Sequence, residues 1–183
     1  MLTEFILSLM SLLIIICQRS CMVLATENQL EDVMTVFKKN REWFPHVRKY
    51  HIIHRIKWEH CIFQDGVVIT FGGKRPGKED AGYIGKKTIG TYVAKKGDVI
   101  LHQIAKDPDV KTNASEILQE FFRYIEADVV LSVRTDNTRA TSFYKKNGMK
   151  RVGDINWGKN GYMKGDVWFY ENPAQGILKF NQS

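Results

Sequence analysis

The chain has 183 residues, of which 44% are hydrophobic and 26% are charged. This length supports one hydrophobic core and excludes two full domains, while a net charge of +7 favours acidic partners over basic ones. The three cysteines, Cys17, Cys21 and Cys61, lack the spacing of a metal site, which indicates reduced thiols and a cytoplasmic protein.

Residues 1–21 contain an apolar run at residues 5–17. The run is shorter than the roughly 18–20 residues that cross a bilayer, and a secretory signal would carry Lys or Arg before it, where this chain has Glu4. We therefore expect residues 1–21 to lie outside the folded domain, with a weak membrane anchor as the alternative. The domain itself is expected at residues 22–172, followed by a tail at 173–183.

The start of the expected domain predicts a short strand and then a helix. Residues 23–25 form the strand, and Thr26 and Gln29 form a capping box, in which two side chains satisfy backbone groups of the first helical turn. The apolar residues that follow at helical spacing are Leu30, Val33, Met34 and Phe37.

Residues 38–60 are strongly basic and hold four of the five histidines, His46, His51, His54 and His60. Pro45 fits the first turn of a second helix, where a missing N–H costs little. One side of that helix would carry Arg48, His51 and Arg55, and the other would bury Ile52, Ile53 and Ile56. The basic side is either a solvated helix face or a surface that attracts anions. No carboxylate or cysteine pattern supports a metal site at His51 and His54.

A hairpin and two more strands are predicted next. Residues 61–71 form two strands joined at Asp65-Gly66, a dipeptide that favours tight hairpin turns. Residues 72–87 are rich in Gly, Lys and Arg and predict a surface loop. The further strands are expected at residues 89–95 and 99–105, with a turn at 96–98.

The segment 104–125 predicts a strand, a loop and a helix whose apolar positions are Ile117, Leu118, Phe121, Phe122 and Ile125. The N-terminus of such a helix can bind pyrophosphate, because its first N–H groups are free and its dipole end is positive. The preceding loop, residues 110–115, contains no glycine. It offers instead a point charge at Lys111, a residue that tolerates positive φ at Asn113, and two small residues, Ala114 and Ser115.

The segment 129–148 predicts a buried strand followed by a short helix. Asp136 or Asn137 can cap the helix by accepting a hydrogen bond from its first turn, and Gly148 can end it in the left-handed conformation. Three residues fall at i, i+3 and i+4 and therefore share one face: Ala140, Phe143 and Tyr144.

The pattern Asn137-x-x-Ala140-x-x-Phe143-Tyr144-x-x-x-Gly148-Met149 resembles the second cofactor-binding motif of the GCN5-related N-acetyltransferases, the GNAT superfamily. The resemblance implies an α/β (α+β) fold with a mixed, mostly antiparallel and twisted sheet of six to seven strands. About four helices would flank that sheet, which would be splayed at a cofactor cleft. The loop 110–115 lies where the family's first cofactor motif is expected, but it lacks that motif's glycines.

The resemblance further implies acetyl-CoA as co-substrate, with no metal. Its binding residues would be Gln103, Ile104, Ala105, Lys111, Asn113, Ala114, Ser115, Asn137, Ala140 and Phe143. Tyr144 would protonate the departing thiolate. His102 is the first candidate for the base, since histidine has a reference pKa near 6.5. Weaker candidates are His46, Glu42, Asp136 and a water chain.

The acceptor side is expected beside the second helix and the C-terminal strands. His46, Arg48 and His51 are the substrate-side candidates. Residues 149–154 and 166–171 predict a hairpin with a loop at 155–165, and residues from Asn172 onward predict a loosely held tail.

Three functions are compatible with these features. The first is an acetyl-CoA-dependent N-acetyltransferase that acts on a small-molecule amine or a peptide. The second is a GNAT-like enzyme of phage type that modifies a DNA base, and the third is a non-catalytic binding module. Tyr144 and the Asn137 motif favour the first, whereas the glycine-free loop favours the others. A monomer or homodimer is expected, with no membrane partner, and the basic charge allows nucleic acid as a partner.

Overall fold

The structure of the protein, a computed structural model, describes residues 22–73, 88–95 and 97–174. The predictions made for residues 1–21, for most of the 72–87 loop, for Lys96 and for residues 175–183 lie outside this range.

Four α-helices and eight strands are present in the described residues. The helices are α1 (Leu30–Lys39, preceded by a 3-10 turn at Glu27–Gln29), α2 (Lys49–Lys57), α3 (Ala114–Ile125) and α4 (Thr138–Lys146). The strands are β1 (Cys61–Gln64), β2 (Val67–Gly72), β3 (Thr88–Ile89), β4 (Tyr92–Val93), β5 (Val99–Lys106), β6 (Val129–Arg134), β7 (Lys150–Trp157) and β8 (Met163–Tyr170).

Six of the strands form one sheet in the order β1-β2-β5-β6-β8-β7, and β3 and β4 form a separate hairpin. Strands β5 and β6 pair in parallel, whereas the other neighbouring strands pair in antiparallel. The predicted mixed and mostly antiparallel sheet with four helices is therefore confirmed.

The sheet splits at its parallel pair. Strands β5 and β6 are in register only at Val99–Val129 and Ile100–Val130. Beyond these pairs β5 continues to Lys106 and β6 to Arg134 without pairing to each other. The predicted splay is thus present at the centre of the sheet.

Helices cover both faces of the sheet. Helix α3 buries all five predicted apolar residues, from Ile117 to Ile125, in one core cluster with β2, β5 and β6. Each buried side chain of this kind stabilises the fold by about 1.5–3 kcal/mol. Helices α1 and α2 form a second cluster with residues of the other face, among them Val68 and Ala105. The sheet between these two clusters is consequently fixed from both sides.

The structure corrects two predictions near the N-terminus. The segment 23–25 is not a strand but a single bridge between Leu24 and Ile62. Helix α2 begins at Lys49 with Arg48 as its N-cap, so Pro45 lies in turns before the helix and Arg48 is not on its basic face. The reason is tertiary, because Phe44 packs edge-on against Phe37 of α1 at 5.4 Å and keeps this segment out of the helix.

Three further predictions are corrected toward the C-terminus. Residues 89–95 are not one strand, because Gly90 has a positive φ of 58° and turns the chain into the β3–β4 hairpin. Strand β7 extends to Trp157 and strand β8 begins at Met163. The loop between them is therefore shorter than the predicted 155–165. Asn172 is buried and donates from its side chain to the Phe122 carbonyl at 2.7 Å, so it anchors the chain instead of starting a loose tail.

None of the helices in the described residues has the length and apolar character needed to cross a lipid bilayer.

Candidate active site

A cavity of about 1530 Å³ opens where β5 and β6 separate. Its walls are residues 102–106 of β5, residues 132–134 of β6, one side of α4 and the segment 40–60 that leads into and includes α2. The separation of β5 and β6 therefore creates a cleft that is bordered by the edges of both strands and by the basic segment.

One edge of β5 is available to a ligand. Its other edge pairs with β2 as far as Lys106, whereas the edge toward β6 has no strand partner beyond Ile100 in the described residues. An open strand edge presents backbone N–H and C=O groups that an amide-containing chain can pair with.

His102 occupies a bulge in β5. In the register with β2, Thr70 faces Gln103 and Phe71 faces Leu101, so His102 is an extra residue between the two pairs. A bulge redirects the side chain that it carries, and the exposed imidazole of His102 lines the cavity. A Cβ added at Gly72 would stand 2.9 Å from His102 Nε2 and 3.2 Å from Arg55 Nη1. Both side chains thus lie against Gly72.

Tyr144 lies on the opposite wall. Helix α4 begins where Asn137 Oδ1 accepts a hydrogen bond from Ala140 N at 3.0 Å, and it ends before Gly148, which has a φ of 83°. Asn137, rather than Asp136, is therefore the cap. Ala140, Phe143 and Tyr144 line the cavity together, as their spacing predicts.

The environment of Tyr144 keeps its phenol neutral. The side chain is only 7% exposed, and burial raises its pKa well above the ordinary value for tyrosine. Its hydroxyl forms no hydrogen bond with the residues that the structure describes. A neutral phenol without a partner is a hydrogen-bond and proton donor for a group bound in the cavity.

The N-terminus of α3 is partly occupied by its own side chains. Asn113 Oδ1 accepts from Ser115 N at 3.1 Å, and Asn113 Nδ2 donates to Glu116 Oε1 at 2.9 Å. Glu116 N in turn donates to Asn113 O at 3.0 Å. The N–H of Ala114, which lines the cavity, forms no hydrogen bond with the described part of the chain. Of the first-turn amides, that of Ala114 is thus best placed to meet an anion.

The structure brings most of the predicted site residues together. Those that line the cavity are His46, His51, His102, Gln103, Ile104, Ala105, Ala114, Asn137, Ala140, Phe143 and Tyr144. The predicted residues that do not line it are Arg48, Lys111, Asn113 and Ser115.

The weaker base candidates differ from His102 in position. Glu42 and Asp136 are exposed and are not part of the lining. Asp136 accepts a hydrogen bond from Arg134 Nε at 2.9 Å, and this bond lowers the pKa of its carboxyl group. Among the predicted base residues, His102 and His46 therefore line the cavity, and of these two only His102 lies on β5.

Several aromatic and cationic residues of the cavity were not among the predicted site residues. They are Trp43, Tyr50, Trp58, Arg134, Arg139, Trp157 and Tyr162. The clustering of histidines at residues 46–60 was the available signal, because all five histidines of the chain line this one cavity. Which aromatic side chains would face it depends on the tertiary structure.

No family model matches the sequence, and no curated protein matches it significantly. Solved structures nevertheless share its fold. An acetyltransferase of the GNAT family from Streptococcus agalactiae has a TM-score of 0.59 at 15% identity, covering 80% of this chain and 91% of that one. Arabidopsis thaliana NAA60, in complex with a bisubstrate analogue, has a TM-score of 0.55 at 16% identity, with coverages of 82% and 97%. The ribosomal-protein-S18-alanine N-acetyltransferase of Escherichia coli has a TM-score of 0.54 at 13% identity, with coverages of 81% and 90%. The protein therefore has the GNAT acetyltransferase fold, which confirms the fold expected from the motif at residues 137–149.

Proposed function

We propose that the protein is an acetyl-CoA-dependent N-acetyltransferase that transfers an acetyl group to an amine, with the activity carried by residues 22–172. The observation that carries the proposal is the gap between β5 and β6, which has a bulged histidine on one wall and a buried neutral tyrosine on the other. The shared fold supports it, since one structure of that fold holds a bisubstrate analogue.

The residues present fit acetyl-CoA, and they fit its pantetheine part better than its diphosphate. The open edge of β5 at Gln103, Ile104 and Ala105 offers backbone partners to the amides of pantetheine. For the diphosphate, the N–H of Ala114, which no described residue pairs with, and the side chain of Arg139 in the lining would supply contacts, together with Lys111 outside the lining. The carboxylate of Glu116 lies in the same helical turn and opposes them.

Acetyl-CoA supplies the acetyl group as a thioester. In the proposed mechanism, His102 accepts a proton from the attacking amine, directly or through water. Backbone N–H groups of the β5 bulge stabilise the charge that develops on the carbonyl oxygen. The Tyr144 hydroxyl gives a proton to the sulfur as the C–S bond breaks and the C–N bond forms. One proton thus leaves the nitrogen and one reaches the sulfur.

Two matched variants test the proposed binding site. Ala140→Leu adds bulk on the cavity side of α4, whereas Ser142→Leu places the same side chain at an exposed position that does not line the cavity. In calorimetric titrations, the wild type and Ser142→Leu should bind acetyl-CoA, and Ala140→Leu should bind it at least tenfold more weakly, a difference of about 1.4 kcal/mol. Wild-type protein that does not bind acetyl-CoA, or equal affinities of the two variants, would reject the proposal.

A further inference from the structure

The described lining of the cavity is positively charged. It includes Arg55, Lys106, Arg134 and Arg139 together with the histidines, and it contains no aspartate or glutamate within residues 22–73, 88–95 and 97–174. Arg134 is neutralised by its ion pair with Asp136, so the excess charge belongs to the other three. A cleft with low-dielectric walls concentrates such a field and attracts anions.

Arg55 is the most unusual of these cations. Its side chain is half-buried, and its Nη1 donates to the Phe71 carbonyl at 2.9 Å. A guanidinium has five N–H donors, yet Arg55 forms no ion pair with any described residue. By contrast, Arg151 is paired with Asp166 at 2.8 Å. Burial lowers the pKa of Arg55, as expected for a cation without a carboxylate beside it.

The position of Arg55 links it to the reaction centre. Arg55 Nη1 and His102 Nε2 both lie against Gly72, which places the guanidinium close to the bulge of β5. A half-buried guanidinium that has no ion pair with a described residue carries a desolvation cost that a bound anion would offset. An anionic group held there would bring the rest of the same molecule next to His102.

Aromatic side chains surround the same cavity. Trp58 is 59% exposed and Tyr162 is 72% exposed, and Trp43 and Tyr50 are exposed as well. All four side chains are large and partly apolar. All four line the cavity. Exposed aromatic faces can stack on a flat ring of a ligand.

We propose that the acceptor is a small amine that carries a carboxylate or phosphate group and a planar ring, and that Arg55 binds the anionic group. The inference rests on the proposed function, whose acceptor it specifies. Arg55 is a positioning residue here: the C–S bond breaks, the C–N bond forms, and the two protons move through Tyr144 and His102 without its help. A polycationic amine would meet no carboxylate in the described lining.

Paired amines test this specificity. With acetyl-CoA in excess, L-phenylalanine is compared with phenylethylamine, and pyridoxamine 5′-phosphate with pyridoxamine, while spermidine serves as the polycation. The carboxylate pair and the phosphate pair distinguish the two anions. In at least one pair, the anionic member should have a kcat/KM about tenfold higher or more, because a hydrogen-bonded charge contributes strongly to binding. The difference in kcat/KM between the two members of a pair should arise from KM and not from kcat.

Variants on one helix identify the residue responsible. Arg55→Gln should remove most of the preference by raising KM for the anionic amine. Lys57→Gln removes the same charge from the same helix at an exposed position outside the lining, and it should keep the preference. If circular dichroism shows that Arg55→Gln is unfolded, Arg55→Lys provides the test, since it keeps the charge but loses the forked geometry and should lose part of the preference.

Several results would overturn the inference. They are equal or better turnover of the amines without an anionic group, a preference for spermidine, and equal behaviour of Arg55→Gln and Lys57→Gln. Tighter binding of a single-stranded oligonucleotide than of pyridoxamine 5′-phosphate, with a steep salt dependence, would assign the cavity to nucleic acid instead.

Separate calorimetric titrations, one with acetyl-CoA alone and one with each anionic amine alone, distinguish a failure of this inference from a failure of the proposed function. If acetyl-CoA does not bind, but the wild type binds pyridoxamine 5′-phosphate or L-phenylalanine and Arg55→Gln does not, the anion site stands and the proposed function fails. If acetyl-CoA binds and neither anionic amine does, the inference about the acceptor fails alone.

Discussion

Asn147, at the end of α4, donates a hydrogen bond from Nδ2 to Ser115 Oγ in the first turn of α3 at 3.1 Å. The same Nδ2 donates to the Phe143 carbonyl at 2.8 Å, and Gln119 Nε2 donates to the Asn147 carbonyl at 3.1 Å. Asn147 is buried, so the two bonds from Nδ2 satisfy a polar side chain that water does not reach. They tie the helix that carries Tyr144 to the helix whose N-terminus is expected to meet the diphosphate.

Asn147→Ala should therefore destabilise the protein. The substitution removes the bonds to Ser115 and Phe143 and should lower the free energy of unfolding by about 1–3 kcal/mol. Urea denaturation gives this value directly. Ser142→Ala, at an exposed position of the same helix, is the control and should change it by less than about 0.5 kcal/mol. Equal effects of the two substitutions would show that the link between the helices contributes nothing measurable.

Tyr144→Phe should separate turnover from binding. The variant keeps the ring that packs in the core but loses the proton donor, so kcat should fall by about a hundredfold or more. The Kd of acetyl-CoA, measured by calorimetry, should remain within about twofold because the contact is made as charge develops on sulfur. Equal losses in both quantities, or an unchanged kcat, would remove Tyr144 from the role of acid.

Glu116→Gln should tighten the binding of acetyl-CoA. Its carboxylate lies in the first turn of α3, beside the amide that is expected to meet the diphosphate. Removing this charge should lower the Kd by about two- to fivefold at low salt, which corresponds to about 0.4–1 kcal/mol. The gain should shrink as salt screens the interaction.

Asp32→Asn is the matched control for Glu116→Gln. Asp32 also lies in the first turn of a helix, but this helix is α1 and not α3, at whose N-terminus the diphosphate is expected. Both substitutions should cost a similar small amount of helix stability, since each removes a negative charge from a positive helix end. An unchanged or higher Kd for Glu116→Gln would mean that the diphosphate does not bind at α3.

Cys61 should make stability fall at alkaline pH. Burial raises the pKa of its thiol to about 12 from 9.0, so the folded state keeps the proton after the unfolded state has lost it. The contribution is present in full below pH 9 and is lost as the pH rises toward about 12. Above pH 9, the stability advantage of the wild type over Cys61→Ala should therefore shrink by up to about 1.4 kcal/mol per pH unit.

Urea denaturation of both proteins between about pH 8 and about pH 10.5 measures this difference. The buried tyrosines titrate in the same way in both proteins, so their effect cancels when the curves are subtracted. A difference that does not change with pH would show that the thiol is not held in its neutral form.

Local signals predicted the elements that depend on short-range chemistry. Helix α4 could be predicted because its Asn137 cap, its Gly148 stop and its face of Ala140, Phe143 and Tyr144 are all set by spacing along the chain. The turn at Asp65-Gly66 was equally local, and the structure has it with positive φ at both residues.

Tertiary contacts account for the elements that were mispredicted. Pro45 suggested an earlier helix start, but Phe44 packs against Phe37 across a turn. Residues 89–95 looked like one strand, but the backbone N–H of Thr91 donates to the carbonyl of Asp154 at 2.9 Å and docks a hairpin on β7. Neither contact has a signal in the local sequence.

In the candidate site, too, features set by nearby residues could be predicted, whereas features set by tertiary contacts could not. The motif around Tyr144 could be found because its residues are close in sequence. The bulge at His102 depends on the register between β2 and β5. The approach of Arg55 to Gly72 depends on the packing of α2 beside the end of β2. No local pattern reveals either. The self-capping of α3 by Asn113 could be anticipated from residue type, but not its pairing with Glu116.

Hydrogen–deuterium exchange with and without acetyl-CoA tests most directly whether the ligand lies between β5 and β6. Amides in residues 101–106 and in α4 should exchange more slowly when acetyl-CoA is present, while those on the exposed side of α1 should not change. Binding that leaves residues 101–106 and α4 unprotected, or that protects a different surface instead, would contradict the account.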